Sequence, residues 1–157
     1  MEKYDLELFA DYNQFYLQDD EIGKGVGGEH WTQQAADMLL AISPFGIAVG
    51  TARNMTVPVT IEIHDKEPNI ERDQWDHINK CSMRIETGRI MVAGCTDDFA
   101  KALRIEVHPG SYQVIICYGD LNDISSDGLT GNDHYHLYIF PGDEIEPQII
   151  KNRINRN

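Results

Sequence analysis

The stretch LRIEVHPGSYQVIICY, residues 103–118, decides the fold class. Apolar and polar residues alternate in its first part, 103–108, which is typical of a strand with one buried face. The Pro109-Gly110 pair then favours a type II turn. Residues 111–118 are apolar on both faces, so we expect this second strand to lie in the centre of a sheet, covered on both sides.

Alternation of apolar and polar residues recurs outward from this stretch. It predicts strands over 57–63 and 81–85, and two short strands over 4–9 and 12–17 that we expect to form a hairpin turned at Ala10-Asp11. In all, about eight to ten strands are predicted, with turn signals between them. This number favours a mainly β fold, either an antiparallel β-sandwich or a flattened barrel.

One helix is predicted among the strands, between about residues 29 and 43. Apolar residues recur there at helical spacing and form a stripe that includes Trp31, Ala35 and Met38. The next segment, 45–51, places glycine and alanine on one face. We therefore expect the helix to pack closely against that face.

Length and composition describe one globular domain. The chain has 157 residues, of which 41% are apolar, and this is enough for one hydrophobic core. We expect a single sandwich domain over 1–150 and a basic tail over 151–157. The acidic N-terminus does not resemble a signal peptide, and no apolar run reaches the roughly 20 residues of a membrane span. Three cysteines in such a chain favour reduced thiols, so we expect a cytoplasmic protein.

The charge of the chain is strongly skewed. Acidic residues outnumber basic ones by 26 to 13, and the stretch from Ile105 to Ile150 contains eight carboxylates without any Lys or Arg. A field of this sign attracts cationic partners and repels nucleic acid and anionic lipid. We therefore expect a cationic protein partner and no direct binding of nucleic acid, and we expect these carboxylates to converge into one anionic surface.

The loop 119–133, GDLNDISSDGLTGND, is the main candidate site, because long ordered loops in compact domains are often functional. The carboxylates predicted to contact a partner are Asp120, Asp123, Asp127 and Asp133. Interfaces commonly combine charged groups with buried aromatic anchors. Trp75 or Tyr135 is the predicted anchor.

Two metal sites are alternatives. The oxygen-rich side chains of 119–133 are suited to calcium, although their spacing does not fit an EF-hand, and a calcium- or sugar-binding β-sandwich module is the alternative function. His134 and His136 would share one face of a strand, as zinc ligands can, but a third ligand such as His108 would have to be brought near. We predict no metal.

The sequence shows no assembled catalytic motif. It contains no G-x-S-x-G, its cysteines lie within apolar strands where burial makes a thiol inert, and the glycine-rich stretch 23–28 lacks the Lys-Ser or Lys-Thr of a phosphate-binding loop. Glu21 and Glu29 flank that stretch and would repel an anion. We therefore expect a protein that is not an enzyme and that uses no cofactor.

An ordered series of short motifs resembles one known family. The series consists of Tyr12-Asn13-Gln14-Phe15, Trp31-Thr32 with Ala35, Ala52-Arg53-Asn54, Val57-Pro58-Val59 and Pro109-Gly110-Ser111-Tyr112-Gln113. In order and spacing it is similar to the small competence-J proteins, which inhibit the DNA-entry nuclease of transformable bacteria, and the resemblance covers roughly residues 5 to 140. It implies tight binding to a nuclease without a cofactor. We accordingly predict a competence-type inhibitor or a toxin-neutralising immunity protein that occludes a cationic DNA-binding cleft.

Overall fold

Two β-sheets face each other in the computed structural model, which describes residues 1–20 and 25–154. The strands are β1 (Glu2–Phe9), β2 (Gln14–Asp19), β3 (Leu40–Ser43), β4 (Gly46–Gly50), β5 (Thr56–Ile63), β6 (His77–Ile85), β7 (Arg89–Gly94), β8 (Leu103–Glu106), β9 (Gly110–Gly119), β10 (His134–Pro141) and β11 (Gln148–Lys151). Within these ranges the one α-helix is α1 (Gln33–Met38), and single 3₁₀ turns lie at Asp11–Asn13, Gly28–His30, Arg72–Gln74 and Phe99–Lys101. The predicted mainly β sandwich is confirmed.

The strand order corrects two details of the prediction. One sheet has the order β1-β5-β10-β9-β6-β11 and the other β3-β4-β2-β7-β8. β1 and β2 lie in different sheets, so they do not form the predicted hairpin. β10 pairs with β5 in parallel, whereas the other strand pairs of the described residues are antiparallel. A parallel pair needs a long connection, and the chain between β5 and β10 contains four further strands, β6 to β9, with their loops.

β9 lies inside the six-stranded sheet, as its two apolar faces predict. Val114 and Ile116 point into the core between the sheets, while Ile115 and Cys117 belong to a second apolar cluster on the outer face. Burial of each large aliphatic side chain contributes about 1.5 to 3 kcal/mol. β9 is therefore the strand that binds the two clusters together.

The helix is shorter than the predicted segment 29–43. Thr32 begins α1, where its hydroxyl accepts a hydrogen bond from Ala35 N–H, and Leu39 ends it in the left-handed conformation with φ 58°. The next residues, Leu40–Ser43, pair with β4 instead of continuing the helix. Ala35 packs beside Ala48 of β4, so the predicted contact between the helix and the small-residue strand is confirmed.

The sandwich has two distinct ends. At one of them lies the loop that connects the antiparallel strands β9 and β10, next to the pair formed by Gly119 and His134. We call this the loop end: residues 10–13, 51–55, 71–76 and 120–133 meet there. The opposite end consists of residues 19–20, 86–88, 107–109 and 142–147.

The C-terminal segment continues along the six-stranded sheet as β11, which ends at Lys151. The predicted division into 1–150 and 151–157 stays a prediction, and residues 155–157 lie outside the described part of the chain. So do Glu21 and Gly23 of the glycine-rich stretch. Among the described residues, none of the helices has the length and apolar character that a membrane crossing requires.

Candidate partner-binding site

The eight carboxylates between Ile105 and Ile150 do not form one surface, and this expectation was wrong. Four of them lie at the loop end: Asp120, Asp123, Asp127 and Asp133. The other four, Glu106, Asp143, Glu144 and Glu146, lie at the opposite end, where Tyr112 of β9 pairs with Pro141 of β10. Because a strand carries the chain from one end to the other, acids close in sequence separate in space.

A small closed structure holds the acidic loop in place. Ile124 and Gly131 form an isolated antiparallel bridge. Within it, the Asp127 carboxylate accepts hydrogen bonds from the Ser125 hydroxyl at 2.6 Å and from Leu129 N–H at 3.0 Å. The bond from Ser125 lowers the pKa of Asp127. Asp127 is therefore an exposed, ionised carboxylate on an ordered turn.

Asp123 and Asp120 are also exposed. One oxygen of Asp123 accepts a hydrogen bond from the Asn132 side chain at 2.8 Å, which leaves the other oxygen available. Asp120 has the left-handed φ of 52°, and its carboxylate lies 3.9 Å from Nδ1 of His134. These two carboxylates and Asp127 keep their predicted surface position.

The loop 71–76 adds two carboxylates that sequence reasoning missed. The Asp76 carboxylate accepts a hydrogen bond from Leu121 N–H at 2.8 Å, and this bond fastens the loop to the acidic segment. Asp73 and Asp76 are both exposed. Their position in a long charged loop was a visible signal, but nothing in the local sequence indicates which distant loop they join.

Asp133 has a different environment from the other three predicted acids. Its side chain is fully buried, and its Oδ1 lies 2.5 Å from Nε of Arg53, which is itself only 8% exposed. The Tyr135 hydroxyl donates to the other oxygen at 2.6 Å, and Ala52 N–H donates to that hydroxyl at 2.7 Å. Asp133 is therefore neutralised inside the protein and does not face a partner.

Tyr135 is likewise internal and does not serve as a surface anchor. Its side chain is buried between Phe15 and Tyr118, with ring centroids 6.0 and 5.9 Å away. Burial raises the pKa of its hydroxyl, which keeps it neutral and able to donate to Asp133.

The Arg53 side chain connects the buried pair to the acidic loop. Its Nη1 donates to the Leu129 carbonyl oxygen at 3.4 Å, and its own carbonyl accepts from the Thr51 hydroxyl at 2.8 Å. Gly131 approaches so closely that an added Cβ would lie 3.2 Å from Arg53 Cδ and 2.9 Å from the Asp123 carbonyl oxygen. The exposed carboxylates are thus held by a buried ion pair and a glycine contact, and they need little reorganisation to bind.

Trp75 is buried and supports the site from behind. It is 8% exposed and belongs to the outer apolar cluster with Ile78, Ile115, Cys117 and Phe140. Its ring centroid lies 5.3 Å from that of His134 and 5.9 Å from that of His136. Because its ring is already covered, Trp75 holds the 71–76 loop against the sheet and offers little surface to a partner.

The turn 10–13 carries unusual backbone geometry. Tyr12 and Asn13 both have φ of 58°, in the left-handed region, and Tyr12 is 70% exposed. Asn tolerates this region, but a residue such as Tyr pays of order 1 to 3 kcal/mol for it. The turn is held by Thr51, whose N–H donates to the Asn13 carbonyl at 2.9 Å and whose carbonyl accepts from the Asn13 side chain at 3.2 Å.

This strain is concentrated at one end of the molecule. In the described ranges, the non-glycine residues with positive φ are Tyr12, Asn13, Leu39 and Asp120. All four border the loop end, since Leu39 accepts a hydrogen bond from Gly50 N–H beside the 51–55 segment. Such strain persists where surrounding structure enforces it, and it clusters at functional sites.

The histidines predicted as possible zinc ligands are separated by their contacts. The Nε2 atom of His136 lies 2.5 Å from the Glu62 carboxylate, and its ring stacks on Tyr138, whereas His134 contacts Asn132 and Asp120. Within residues 1–20 and 25–154, no group of three His, Cys, Asp or Glu side chains is placed to hold a metal. Asp123 and Asp127 each use one carboxylate oxygen within their own loop, and the described residues place no cluster of three acidic or histidine ligands there for the calcium alternative.

Comparison with known proteins supports the fold. No protein-family model matches the chain, and no curated protein matches it. Solved structures with the same fold include ComJ from Bacillus subtilis, an inhibitor of the DNA-degrading activity of NucA. It matches with a TM-score of 0.66 and 15% identity, and the match covers 90% of this chain and 96% of that chain. The crocagin biosynthetic gene J product matches with a TM-score of 0.60, 14% identity and coverage of 90% and 98%. The predicted resemblance to the competence-J proteins is therefore confirmed in the fold.

Proposed function

We propose that this chain is a protein inhibitor of a DNA-degrading nuclease, acting as a competence-type inhibitor or an immunity protein. The observation that carries the proposal is the set of exposed carboxylates held in a fixed arrangement at the loop end. The fold shared with ComJ, which inhibits NucA, supports the same class of partner. On this proposal the protein is not an enzyme and acts without a cofactor.

The physical basis is electrostatic complementarity. A nuclease needs a cationic groove to hold the phosphates of DNA, and Asp120, Asp123 and Asp127 present carboxylates where phosphates would lie. Asp73 and Asp76 extend the same surface. Charge of opposite sign on the two partners raises association rates to about 10⁸ to 10⁹ M⁻¹s⁻¹ at low salt.

The residues inside the loop end have a supporting role in this proposal. Asp133 with Arg53 holds the acidic loop, Tyr135 completes that pair, and Trp75 holds the 71–76 loop. Rigid presentation reduces the entropy lost on binding. We also infer a cytoplasmic location, which suits the three free cysteines, of which Cys81 and Cys117 are buried.

The test is a DNA-digestion assay with the DNA-degrading nuclease of the source cell and with NucA, combined with binding kinetics. We expect the unchanged chain to inhibit at least one of the two. Replacement of Asp123 and Asp127 by Lys should slow association by roughly tenfold or more at low salt and make its salt dependence shallower, with little change in Tm.

A matched control separates the acidic loop from the net charge. The pair Glu144→Lys and Glu146→Lys changes the net charge equally but lies at the opposite end, where both residues are exposed. This control should associate nearly as fast as the unchanged chain. Equal slowing by both pairs would argue against the loop end as the binding surface, and no inhibition of either nuclease by the unchanged chain would refute the proposed function.

A further inference from the structure

Exposed apolar side chains lie on the segments that meet the acidic loop at the loop end. Tyr12 is 70% exposed, Leu129 54% and Phe9 41%. Single exposed apolar residues are common on protein surfaces, but these three stand on segments that contact one another. In the described part of the chain, the Tyr12 hydroxyl has no hydrogen-bond partner within the protein.

A continuous series of contacts joins these three residues. Phe9 precedes Ala10, whose N–H donates to the Met55 carbonyl at 2.9 Å. Tyr12 precedes Asn13, which is bonded twice to Thr51, and the Thr51 hydroxyl donates to the Arg53 carbonyl. Arg53 in turn donates to the carbonyl of Leu129. The turn and the acidic loop are thus fixed relative to each other through the segment 51–55.

We propose that Tyr12 is the aromatic anchor of the interface, with Leu129 and Phe9 beside it, and that it docks on the wall of the partner's cationic groove. This inference rests on the proposed function. Aromatic residues dominate the binding energy of many interfaces, and Tyr12 occupies the exposed position that Trp75 and Tyr135 lack. A groove lined by Arg and Lys also offers cation–π partners to an exposed ring.

The backbone of Tyr12 favours this role. Its left-handed conformation is unfavourable for a Tyr, while the ring contributes little to the core because most of it is exposed. The Thr51 contacts keep the turn ordered before binding, so less conformational freedom is lost when the ring is covered. A side chain that is kept on a strained, rigid and exposed turn is suited to recognition.

A cationic partner fits this surface better than a second copy of the chain. In a two-fold contact between identical surfaces, Asp123 and Asp127 would approach the same carboxylates of the other copy. Like charges brought together in this way oppose association. A groove rich in Arg and Lys instead satisfies the carboxylates and the ring together.

The experiment measures dissociation from the nuclease that the unchanged chain inhibits. Tyr12→Ala should raise the dissociation rate by about 30-fold with little change in association, whereas Tyr12→Phe should retain most of the affinity. Phe99→Ala is the matched control: Phe99 is 37% exposed but packs on Tyr16 at the outer face of the five-stranded sheet. This variant should dissociate like the unchanged chain.

A second readout does not need the partner. Tyr12→Gly should leave Tm unchanged or raise it, because glycine adopts the left-handed region without a Cβ clash, while it weakens binding as Tyr12→Ala does. A large fall in Tm would show a structural role and overturn the inference. Equal dissociation rates for Tyr12→Ala and Phe99→Ala would also overturn it and leave the proposed function intact. If the unchanged chain inhibits neither nuclease, the proposed function and this inference fail together.

Discussion

The two ends of the sandwich hold their carboxylates in different ways. At the opposite end, Asp19 is 1% exposed and accepts hydrogen bonds from Glu86 N–H at 2.7 Å and from Thr87 N–H at 3.2 Å. Asp20 lies between Arg89 and Arg104, and the hydrogen bond from Arg89 lowers its pKa. At the loop end only Asp133, of the four predicted acids, is enclosed in this manner. The opposite end therefore combines enclosed, structural carboxylates with the exposed Glu106, Asp143, Glu144 and Glu146, whereas three of the four predicted acids of the loop end are exposed on one ordered loop.

The backbone shows the same contrast. At the opposite end, the described residues with positive φ are glycines: φ is 79° at Gly88 and 158° at Gly110. The loop end places Tyr12, Asn13 and Asp120 in the left-handed region instead, with a Gly only at 128. Glycine would remove that strain at no steric cost. Asn13 offsets the strain through its side-chain bond to Thr51, whereas the Tyr12 ring is 70% exposed and adds little stability that would offset it.

The largest expected effect comes from the one enclosed acid of the loop end. Asp133→Ala leaves Arg53 buried without its counter-charge, and breaking a buried pair in this way costs about 3 to 5 kcal/mol. Urea unfolding should show this loss as a lower midpoint. Asp127→Ala removes an exposed carboxylate of the same loop with its two local hydrogen bonds and is expected to lower the midpoint much less. Similar midpoints for the two variants would contradict the distinction between supporting and binding acids.

The sequence held a signal for Asp133 that was missed. Asp133 lies two residues before Tyr135 and four before Leu137, so the alternation of β10 places all three on the inward face. The partner, Arg53, is 80 residues away, and local patterns do not reveal such a pairing. Period-2 alternation predicted most strands because it reports which face of a strand is buried. It does not report which strands are adjacent, so it did not predict the order of the strands in the two sheets.

The anchor was missed for a related reason. Trp75 and Tyr135 were selected as aromatic residues near acids, but both rings cover apolar clusters, and burial depends on contacts between distant strands. Alternation places Tyr12 at the start of a strand next to a hairpin turn. In the structure Tyr12 lies with φ of 58° in the turn between β1 and β2, which belong to different sheets, and no local pattern indicates that separation.

A smaller effect is expected at the opposite end. Asp19→Asn places an amide nitrogen opposite an N–H donor of residue 86 or 87 and should cost about 2 kcal/mol, the range for a lost hydrogen bond to a charged group. Urea unfolding measures this loss, and inhibition kinetics of the folded variant should match those of the unchanged chain. A slower association would mean that the opposite end also takes part in binding and would remove the functional contrast between the ends.

The smallest expected effect is a dependence of folding stability on pH. It arises on the side of the loop end where the C-terminal segment packs. His77 is fully buried, with Nε2 2.9 Å from the Asn79 side-chain oxygen and Nδ1 accepting from Arg153 N–H at 3.1 Å. Asn79 also donates to the Met38 carbonyl, so this network joins the tail to the end of α1. Burial lowers the pKa of His77 below its usual 6.5. The neutral ring is thus the form that the folded chain requires.

The sign of the pH effect follows from this shift. Above about pH 6.5 His77 is neutral in both states and its full contribution to stability is present; as the pH falls through that value, the unfolded chain takes up the proton first and stability declines. We expect a lower free energy of unfolding at about pH 5.5 than at about pH 7.5. His77→Gln should reduce this pH difference, and the hydrogen-exchange protection of 148–154, corrected for the intrinsic pH dependence of exchange, should fall at the lower pH in the unchanged chain alone. An equal pH dependence of the unfolding free energy in both proteins would contradict the role of His77. The strained turn and the acidic loop would then be the features that set the loop end apart.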